Sequence, residues 1–532
     1  MRRLLIVVGV LILAIVAVVG ASGYWMKMLV TGPLKDRLLL EFNRRAGADV
    51  TVTQVDFDIP AWYRLRPVVT LEGFQVANPP GYSPGSLLAA SRLRVEAALA
   101  PLLDRRIQVV AVEAVDPVLR VESNKQGDSN LEAFLKRITG GRTPSEGETT
   151  QWSMDRFTVR NGKLLQGGTT QLAAIDIEMA GFAPGQPAQV NFGAQPFGGK
   201  ASHLRFQGET GPFVSRSLPV HGKVTGLLEL SEVPSHLVRE RFGKVLEQPS
   251  RNSKVTLESD LKGDLYETVA GQAKATFSGL MIGRDAGRRL PLEGSAPVGF
   301  RLRRLLATPV TELSVRNGSL RLGTGQWHGN VDLIAVGGVA RGKSTGSIRG
   351  IEMDQFLTAF TESSGKVQGQ LLVPTYTLRF SGRDTNQIRR SLNGTAAMEI
   401  TNGRVRALDL LSSIQRALDR IQGDVTDRTG NTEFATLNTA IEVSGEKVRV
   451  NPIRMEGPLR ASGEGTIGFD SALAFRLQTI VGRTPLSVTI DGTINNPRVR
   501  PDLTAFLKET VRKQLEQILK EKLVLPPMFR KQ

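Results

Sequence analysis

From Thr436 to Thr493 an apolar side chain recurs at almost every second position: Ile441, Val443, Val448, Val450, Ile453, Met455, Leu459, Ala461, Ile467, Phe469, Leu473, Phe475, Leu477, Leu486, Val488 and Ile490. A period of two sends these side chains to one face of a pleated strand and their neighbours to the other. The stretch therefore predicts an antiparallel meander with one apolar and one wet face. The same alternation runs through "SRLRVEAALA", with Leu93, Val95, Ala97 and Leu99, and through "VLRVES", with Leu119 and Val121. Asn-Gly pairs at Asn161, Asn317 and Asn402 sit between alternating segments. They predict type I′ hairpins, whose central residues both need positive φ. Their unequal spacing excludes a solenoid of fixed period. Aromatic residues make up 6% of the chain and glycines number 55, a balance that favours many short strands and turns.

Helical spacing interrupts this pattern at a few places. "PLKDRLLLEFNRRAG" sets Leu34, Leu38 and Phe42 four residues apart before Gly47, which predicts a short amphipathic helix. "GDSNLEAFLKRI" carries a capping box in Ser129 and Glu132, with Leu131, Phe134, Leu135 and Ile138 as a stripe. Further helices are expected at "SHLVRERFGKVLE", "MDQFLTAF" and "ALDLLSSIQRALDRIQ", and a basic amphipathic helix from Asp502 to about Leu523. Thr139 to Thr150 has almost nothing to bury and reads as a loop and boundary, and Ala183 to Lys200 forms a second polar, Gly/Pro-rich interval. The expected organisation is 1–26, 27–148, 149–380, 381–501 and 502–532: an anchor, an N-terminal β segment, a β-rich middle, a C-terminal β segment and a basic helical tail.

The anchor rests on Leu4 to Met26, which has no charged residue after Arg2 and Arg3. About 20 apolar residues span a bilayer. The run exceeds the usual apolar core of a cleaved signal, and Tyr24 and Trp25 sit where an interfacial aromatic belt would. Lys27, Lys35, Arg37, Arg44 and Arg45 outnumber the two leading arginines, which by counting alone favours the opposite topology. A short basic leader before a large domain nevertheless places the N-terminus inside, because long domains translocate largely regardless of charge. The chain has no cysteine, and its 68 Lys and Arg against 51 Asp and Glu give a net charge of +17. That excess predicts attraction to anionic partners, with nucleic acid, phospholipid headgroups and lipopolysaccharide all eligible.

Two catalytic patterns occur, and both fail on their own chemistry. "GYSPG" satisfies G-x-S-x-G around Ser83, yet the amide after the nucleophile must help form the oxyanion hole, and Pro84 has none. His203, His221, His236 and His328 are scattered as potential bases. "GGVARGKS", from Gly337 to Ser344, matches the phosphate-cradling P-loop, but the following "STGSIRGIE" does not read as the helix whose N-terminus must hold phosphate. A Gly-rich turn between strands is the simpler reading. No metal-ligand spacing is present, and the basic residues are not clustered with stacking aromatics as nucleic-acid binding needs. No enzyme activity, cofactor or metal is expected.

"NPPGYSPGSLLAASRLRVEAALAPLLDRRIQVVAVEAVDPVLRVESNKQGDSNLEAF" resembles the N-terminal segment of AsmA-like envelope proteins, through Asn78-Pro79, Ala89 and Ala90, Pro101-Leu102-Leu103, Pro117, Gly127 and Asn130-Leu131. "SLNGTAAMEITNGRVRALDL", "TEFATLNTAIEVSGEKVRVNPIRMEGPLRASGEGTIGF" and "PLSVTIDGTINNPRVRPDL" resemble the end of the same family, in its order. Gln186 to about Arg303 does not align. The resemblance implies a single N-terminal transmembrane helix in the inner membrane and a periplasmic, mainly β chain with interspersed helices. Its elongated, curved antiparallel sheet would form an open apolar groove related to the chorein-type, bridge-like lipid transport proteins. The implied ligand is phospholipid or another anionic envelope lipid, with outer-membrane assembly factors as further partners and no nucleic acid. Candidate groove residues are Leu93, Val95, Leu99, Leu119, Val121, Val448, Val450, Ile467, Phe469, Phe475 and Leu477. The alternatives are a periplasmic scaffold for outer-membrane protein assembly, in which the apolar faces are closed, and more distantly a P-loop NTPase dependent on Lys343.

Overall fold

The computed structural model describes residues 49–503 in the main, apart from internal intervals of which 140–150, 238–251 and 418–430 are the longest. The anchor, the helix expected before Gly47 and most of the C-terminal helix lie outside the described residues. Among the described residues no helix is long and apolar enough to cross a membrane.

The described chain is mainly β and forms one hydrogen-bonded, curved sheet of 25 strands. At one end β1 (Val50–Thr51) and β2 (Gln54–Asp58) share a flank of β3 (Val68–Ala77), and the other flank of β3 takes β4 (Ser86–Ala98). Next come β5 (Arg106–Val115) and β6 (Val118–Val121), end to end and broken at Asp116-Pro117, and then β7 (Gln151–Gln166). The two pairings with β7 are parallel, so the chain must cross over before it, and α1 (Asn130–Thr139) lies in that connection. From there each strand is antiparallel to its predecessor. They are β8 (Thr169–Phe182), β9 (Ala188–Pro196), β10 (His203–Thr210), β11 (Pro219–Glu229), β12 (Lys254–Asp264), β13 (Thr268–Asp285), β14 (Arg288–Arg303) and β15 (Val310–Leu322). The order continues with β16 (Gly325–Val336), β17 (Val339–Glu352), β18 (Val367–Gly382), β19 (Asn393–Val405) and β20 (Thr432–Ser444). It ends with β21 (Lys447–Glu456), β22 (Ala461–Gly468), β23 (Ala472–Val481), β24 (Thr484–Thr493) and β25 (Asn496–Asp502). The meander expected between Thr436 and Thr493 is β20 to β24.

Three expectations are corrected. Many strands are long, up to 18 residues in β13, because glycines fall inside strands as well as at turns. The interval Ala183 to Lys200 contains β9, whose Val190 and Phe192 carry a two-residue alternation before Gly193. The Asn-Gly pairs are not hairpin turns. Asn161, Asn317 and Asn402 do have φ of 53°, 51° and 51°, but each lies mid-strand, in β7, β15 and β19, where the register against a neighbour shifts. One left-handed residue absorbs an extra position as a β-bulge, which bends the strand and increases its twist. The amides of Asn161 and Asn317 then donate across the sheet to Asp176 Oδ1 (3.0 Å) and Asn330 Oδ1 (2.9 Å). I′-type pairs of positive φ values occur instead at Gly167-Gly168 between β7 and β8, Gly337-Gly338 between β16 and β17, and Gly445-Glu446 between β20 and β21.

The expected helix at "MDQFLTAF" is α2 (Met353–Phe360). Its Ala359 is buried with Leu290, Leu322 and Ile351, and it touches β13 and β14 on one side and β17 and β18 on the other. A flat sheet would set β14 and β18 about 19 Å apart, so this bridging draws on the sheet's curvature. A further short helix, α3 (Thr385–Ser391), is capped by Asp384, whose carboxylate accepts from the Gln387 amide. Within "ALDLLSSIQRALDRIQ", Leu410 and Ile414 are helical and buried against the sheet.

After β11 a 3₁₀ turn, Leu230–Glu232, is stitched to the turn before β10. Burial pushes the Glu232 carboxyl up, but the Ser202 hydroxyl and the amides of Ala201, Ser202 and Lys200 donate to it and hold it below the ordinary glutamate value of 4.5. A depressed carboxyl contributes stability that is present above its unfolded value and is lost as pH falls through the folded one. Chemical denaturation across the acid range will therefore show a loss in the wild type below about pH 4.5 that Glu232→Gln lacks, since glutamine starts without that contribution.

Candidate functional site

Residues in direct register across neighbouring strands share a face, so the ladder can be followed from end to end. Beginning at Val55 in β2, one row passes through Leu71, Leu93, Ala114, Val159, Ile177, Phe192, Phe206, Val224, Ser259, Ala273 and Val298. It continues through Val315, Val331, Ser344, Leu378, Gly394, Val443, Val448, Ile467, Leu473 and Gly492 to Pro497 in β25. It visits every strand except β1 and β6, holds no charged residue, and is polar only at Ser259 and Ser344. At a spacing of ~4.8 Å per strand the row is about 105 Å long.

A parallel row two residues away reads Phe57, Val69, Val95, Val112, Phe157, Met179, Val190, Gly208 and Gly222, then Leu261, Gly271, Phe300, Leu313, Leu333, Gly342 and Phe380. On the opposite side of the first row run Leu204, Gly226, Leu257, Ala275 and Ala296. The other face of the sheet is a different surface. One residue along from the first row, the register links Asp56, Thr70, Arg94, Glu113, Thr158, Glu178, Asn191, Gln207, Lys223, Asp260 and Gln272. A slip of one residue anywhere would exchange the faces.

How far the apolar face is covered varies along the sheet. In β18 to β25, Leu371, Ile400, Phe434, Met455, Leu486, Val488 and Ile490 are buried in one cluster, with Leu410 and Ile414 laid against them. In β4 to β9 a smaller cluster holds Val95, Ala97, Val109, Met154, Phe182 and Ala188. Between these, no buried apolar cluster among the described residues falls on β10, β11 or β12. Phe206, Val224, Val298, Val315 and Val331 are half-buried, and Leu313 is 36% exposed.

Of the candidate groove residues, Leu93, Val448 and Ile467 lie on the first row, and Val95 on the second. Val450 and Phe475 are joined through Gly465 on a third. Leu99 follows the end of β4 and packs against the smaller cluster. Leu119 stands between Leu88 and Leu164, and Val121 is paired with Gln166 at the end of β6. Phe469 is not in a strand. It sits in the turn after β22, its amide donating to Glu446 O at 2.9 Å, because the alternation breaks at Gly468. Val450 and Leu477, each 8% exposed, are inside the covered C-terminal cluster, and Val95 is inside the smaller one. The uncovered stretch falls instead in the middle segment, at Phe192, Phe206, Val224, Leu261, Phe300, Leu313 and Leu333, none of them among the candidates. "HLRFQGET" and "KVTLESDLKGD" do alternate, but Gly208, Gly222, Ser259 and Gly271 on the apolar face dilute the signal.

The first catalytic pattern is a loop, and the second is a turn at Gly337-Gly338 that runs into β17. Ser83 is exposed in the loop between β3 and β4, its amide donating to Glu122 Oε1 at 2.8 Å. Lys343 stands in mid-strand on the polar face of β17, with no helix following, while Ser344 turns to the apolar face and contacts the Tyr376 hydroxyl at 2.8 Å. Among the described residues no group of three or more His, Asp or Glu side chains is placed to hold a metal ion. Two of the residues that carry the resemblance, Asn78 and Asn130, meet. Asn130 is fully buried; its Nδ2 donates to Asn78 Oδ1 and Arg120 O, both at 2.9 Å, and its Oδ1 accepts from the Glu122 amide at 3.0 Å. Comparison with protein-family models, with curated proteins and with solved structures finds no match to this chain.

Proposed function

We propose that this is an AsmA-like envelope protein, held in the inner membrane by Leu4 to Met26 with its bulk in the periplasm, that binds or conducts phospholipid along the apolar face of its sheet. The observation that carries this reading is the uncharged row from Val55 to Pro497, with no buried apolar cluster among the described residues on β10 to β12 and a polar face behind it. Each methylene withdrawn from water contributes about 0.8 kcal/mol, so acyl chains laid along such a surface gain what a second protein layer would otherwise supply. A monomeric sheet that left so long an apolar strip bare to water would be prone to association. The net charge of +17 favours anionic headgroups at the edges of the strip. The part played would be supply of lipid for outer-membrane assembly, without catalysis or cofactor.

Mass spectrometry of lipid retained by the purified full chain tests the proposal. Phospholipid is expected to accompany the protein at more than one molecule per chain, given the length of the strip. A chain free of lipid would sink the reading and favour a scaffold that acts through contacts with other proteins.

A further inference from the structure

Several aromatic rings on the apolar face lie where a neighbouring strand has glycine. A Cβ built on Gly342 would meet Phe380 Cζ at 2.2 Å, and its three nearest atoms all belong to that ring. Gly465 is likewise overlain by Phe475 (2.1 Å to Cδ1) and Gly403 by Phe434 (2.0 Å to Cζ). Gly271 would meet Phe300 Cζ at 2.5 Å, and Trp327 covers Gly318 of β15 at 2.9 Å and Gly329 of its own strand at 2.8 Å. Gly342 pairs directly with Phe380, Gly271 with Phe300 and Gly465 with Phe475. Trp327 is further tied down by its Nε1–H, which donates to the Tyr376 hydroxyl at 2.5 Å. A ring over a glycine lies flat on the sheet. Over any larger residue it must stand away from it.

We infer that these glycines set the clearance above the apolar face: by letting Phe300, Trp327 and Phe380 lie flat, they keep the strip shallow enough for an acyl chain to lie across it. The inference rests on the proposed lipid function and adds which residues shape the lane. Gly342 is the most telling position. Its φ is not in the left-handed region, so alanine suits the backbone, and only the end of a flexible side chain stands in the way. The phenyl ring will therefore swing up into the lane, with no change in charge or polarity. A glycine inside a strand is normally a weakness that alanine relieves, so the alternative is that the pairs serve the sheet alone.

The test uses the full chain carrying a photo-crosslinking residue at Leu333, directly opposite Gly342, or at distant Phe192, with vesicles of phosphatidylglycerol and phosphatidylethanolamine. Gly342→Ala is expected to abolish lipid capture at position 333 and leave capture at 192 at the wild-type level. Adding Phe380→Leu to Gly342→Ala is expected to restore it, which a misfolded variant would not show. Undiminished capture at 333 in Gly342→Ala, or equal loss at both positions without rescue, overturns the inference while leaving the lipid reading intact. Absence of capture by the parent protein at both positions overturns the two together.

Discussion

Val224→Asp is expected to abolish phospholipid binding at β11 while leaving the fold in place, and Thr225→Asp to change neither binding nor fold. The two residues are consecutive in β11 and face opposite ways. Val224 stands between Phe206 and Ser259 on the apolar row, and Thr225 between Arg205 and Glu258 on the polar face. A carboxylate at 224 remains hydrated in the lipid-free protein, because that side chain is half-buried and no apolar cluster among the described residues covers β11. The cost to stability should be on the order of 1 kcal/mol. Once an acyl chain lies over it, the same carboxylate loses its water without gaining a partner, a penalty of several kcal/mol per ion. At 1.4 kcal/mol per decade, that weakens lipid binding at this segment by more than a hundredfold. Thermal unfolding, read beside lipid retained at a crosslinker in Phe206, separates the effects. If both variants bind lipid like the parent, β11 is not part of any lipid path. If Val224→Asp unfolds the protein, the segment is a covered core and the scaffold reading gains.

The same contrast shows which parts of the fold could be read in the chain. Alternation is a strong signal wherever the apolar positions are large. β20 to β24 and β4 were legible because Ile, Val, Leu and Phe occupy most inward positions. In β10 to β13 the inward positions include Gly208, Gly222, Ser259, Gly271, Ala273 and Ala275, so the same geometry is written in small residues that carry little hydrophobic contrast. The candidates accordingly gathered at the two ends, where Val95, Val450 and Leu477 are inside covered clusters, and missed the uncovered middle. Asn-Gly misled for a related reason. The pair reports a need for positive φ, and a bulge meets that need as well as a hairpin does; only the continuing alternation in "KLL", "SLRL" and "RVRA" shows that the strand goes on. No local pattern could show that the strands, far apart in sequence, align their apolar positions into one row. That depends on the register of every pair, and bulges reset it between Val315 and Gly318 and between Gly346 and Ile348.

Asn130→Leu should be the most destabilising polar-to-apolar change in the N-terminal part of the sheet, with a loss of about 3 kcal/mol. The side chain is fully buried at the first turn of α1, and it completes three hydrogen bonds that nothing else nearby can replace. Leucine fills similar volume, yet it leaves the Arg120 carbonyl, the Glu122 amide and the Asn78 carboxamide short of a partner, and each such buried group costs about 1–3 kcal/mol. The effect reaches beyond the helix. Asn78 also donates to Glu122 Oε1 at 2.9 Å, and the same carboxylate accepts from the Ser83 amide, so the loop after β3, the end of β6 and the start of α1 are one network. Phe134 on α1 packs with Val50, Val76 and Leu88 at that end of the sheet. Undocking α1 therefore exposes this apolar end. Hydrogen exchange should show lost protection in β1, β3 and β6 with β20 to β24 unchanged, since the C-terminal cluster shares no residue with it. Asn78→Ala takes one of the three partners from Asn130 together with the bonds from Asn78 Nδ2 to Glu122 Oε1 and Ser83 O, but the last of these is exposed and Asn130 keeps its two backbone partners, so it should cost less than Asn130→Leu. Equal losses from the two variants, or protection lost evenly along the chain, would refute a local network and mean that the sheet unfolds as one cooperative unit from either end.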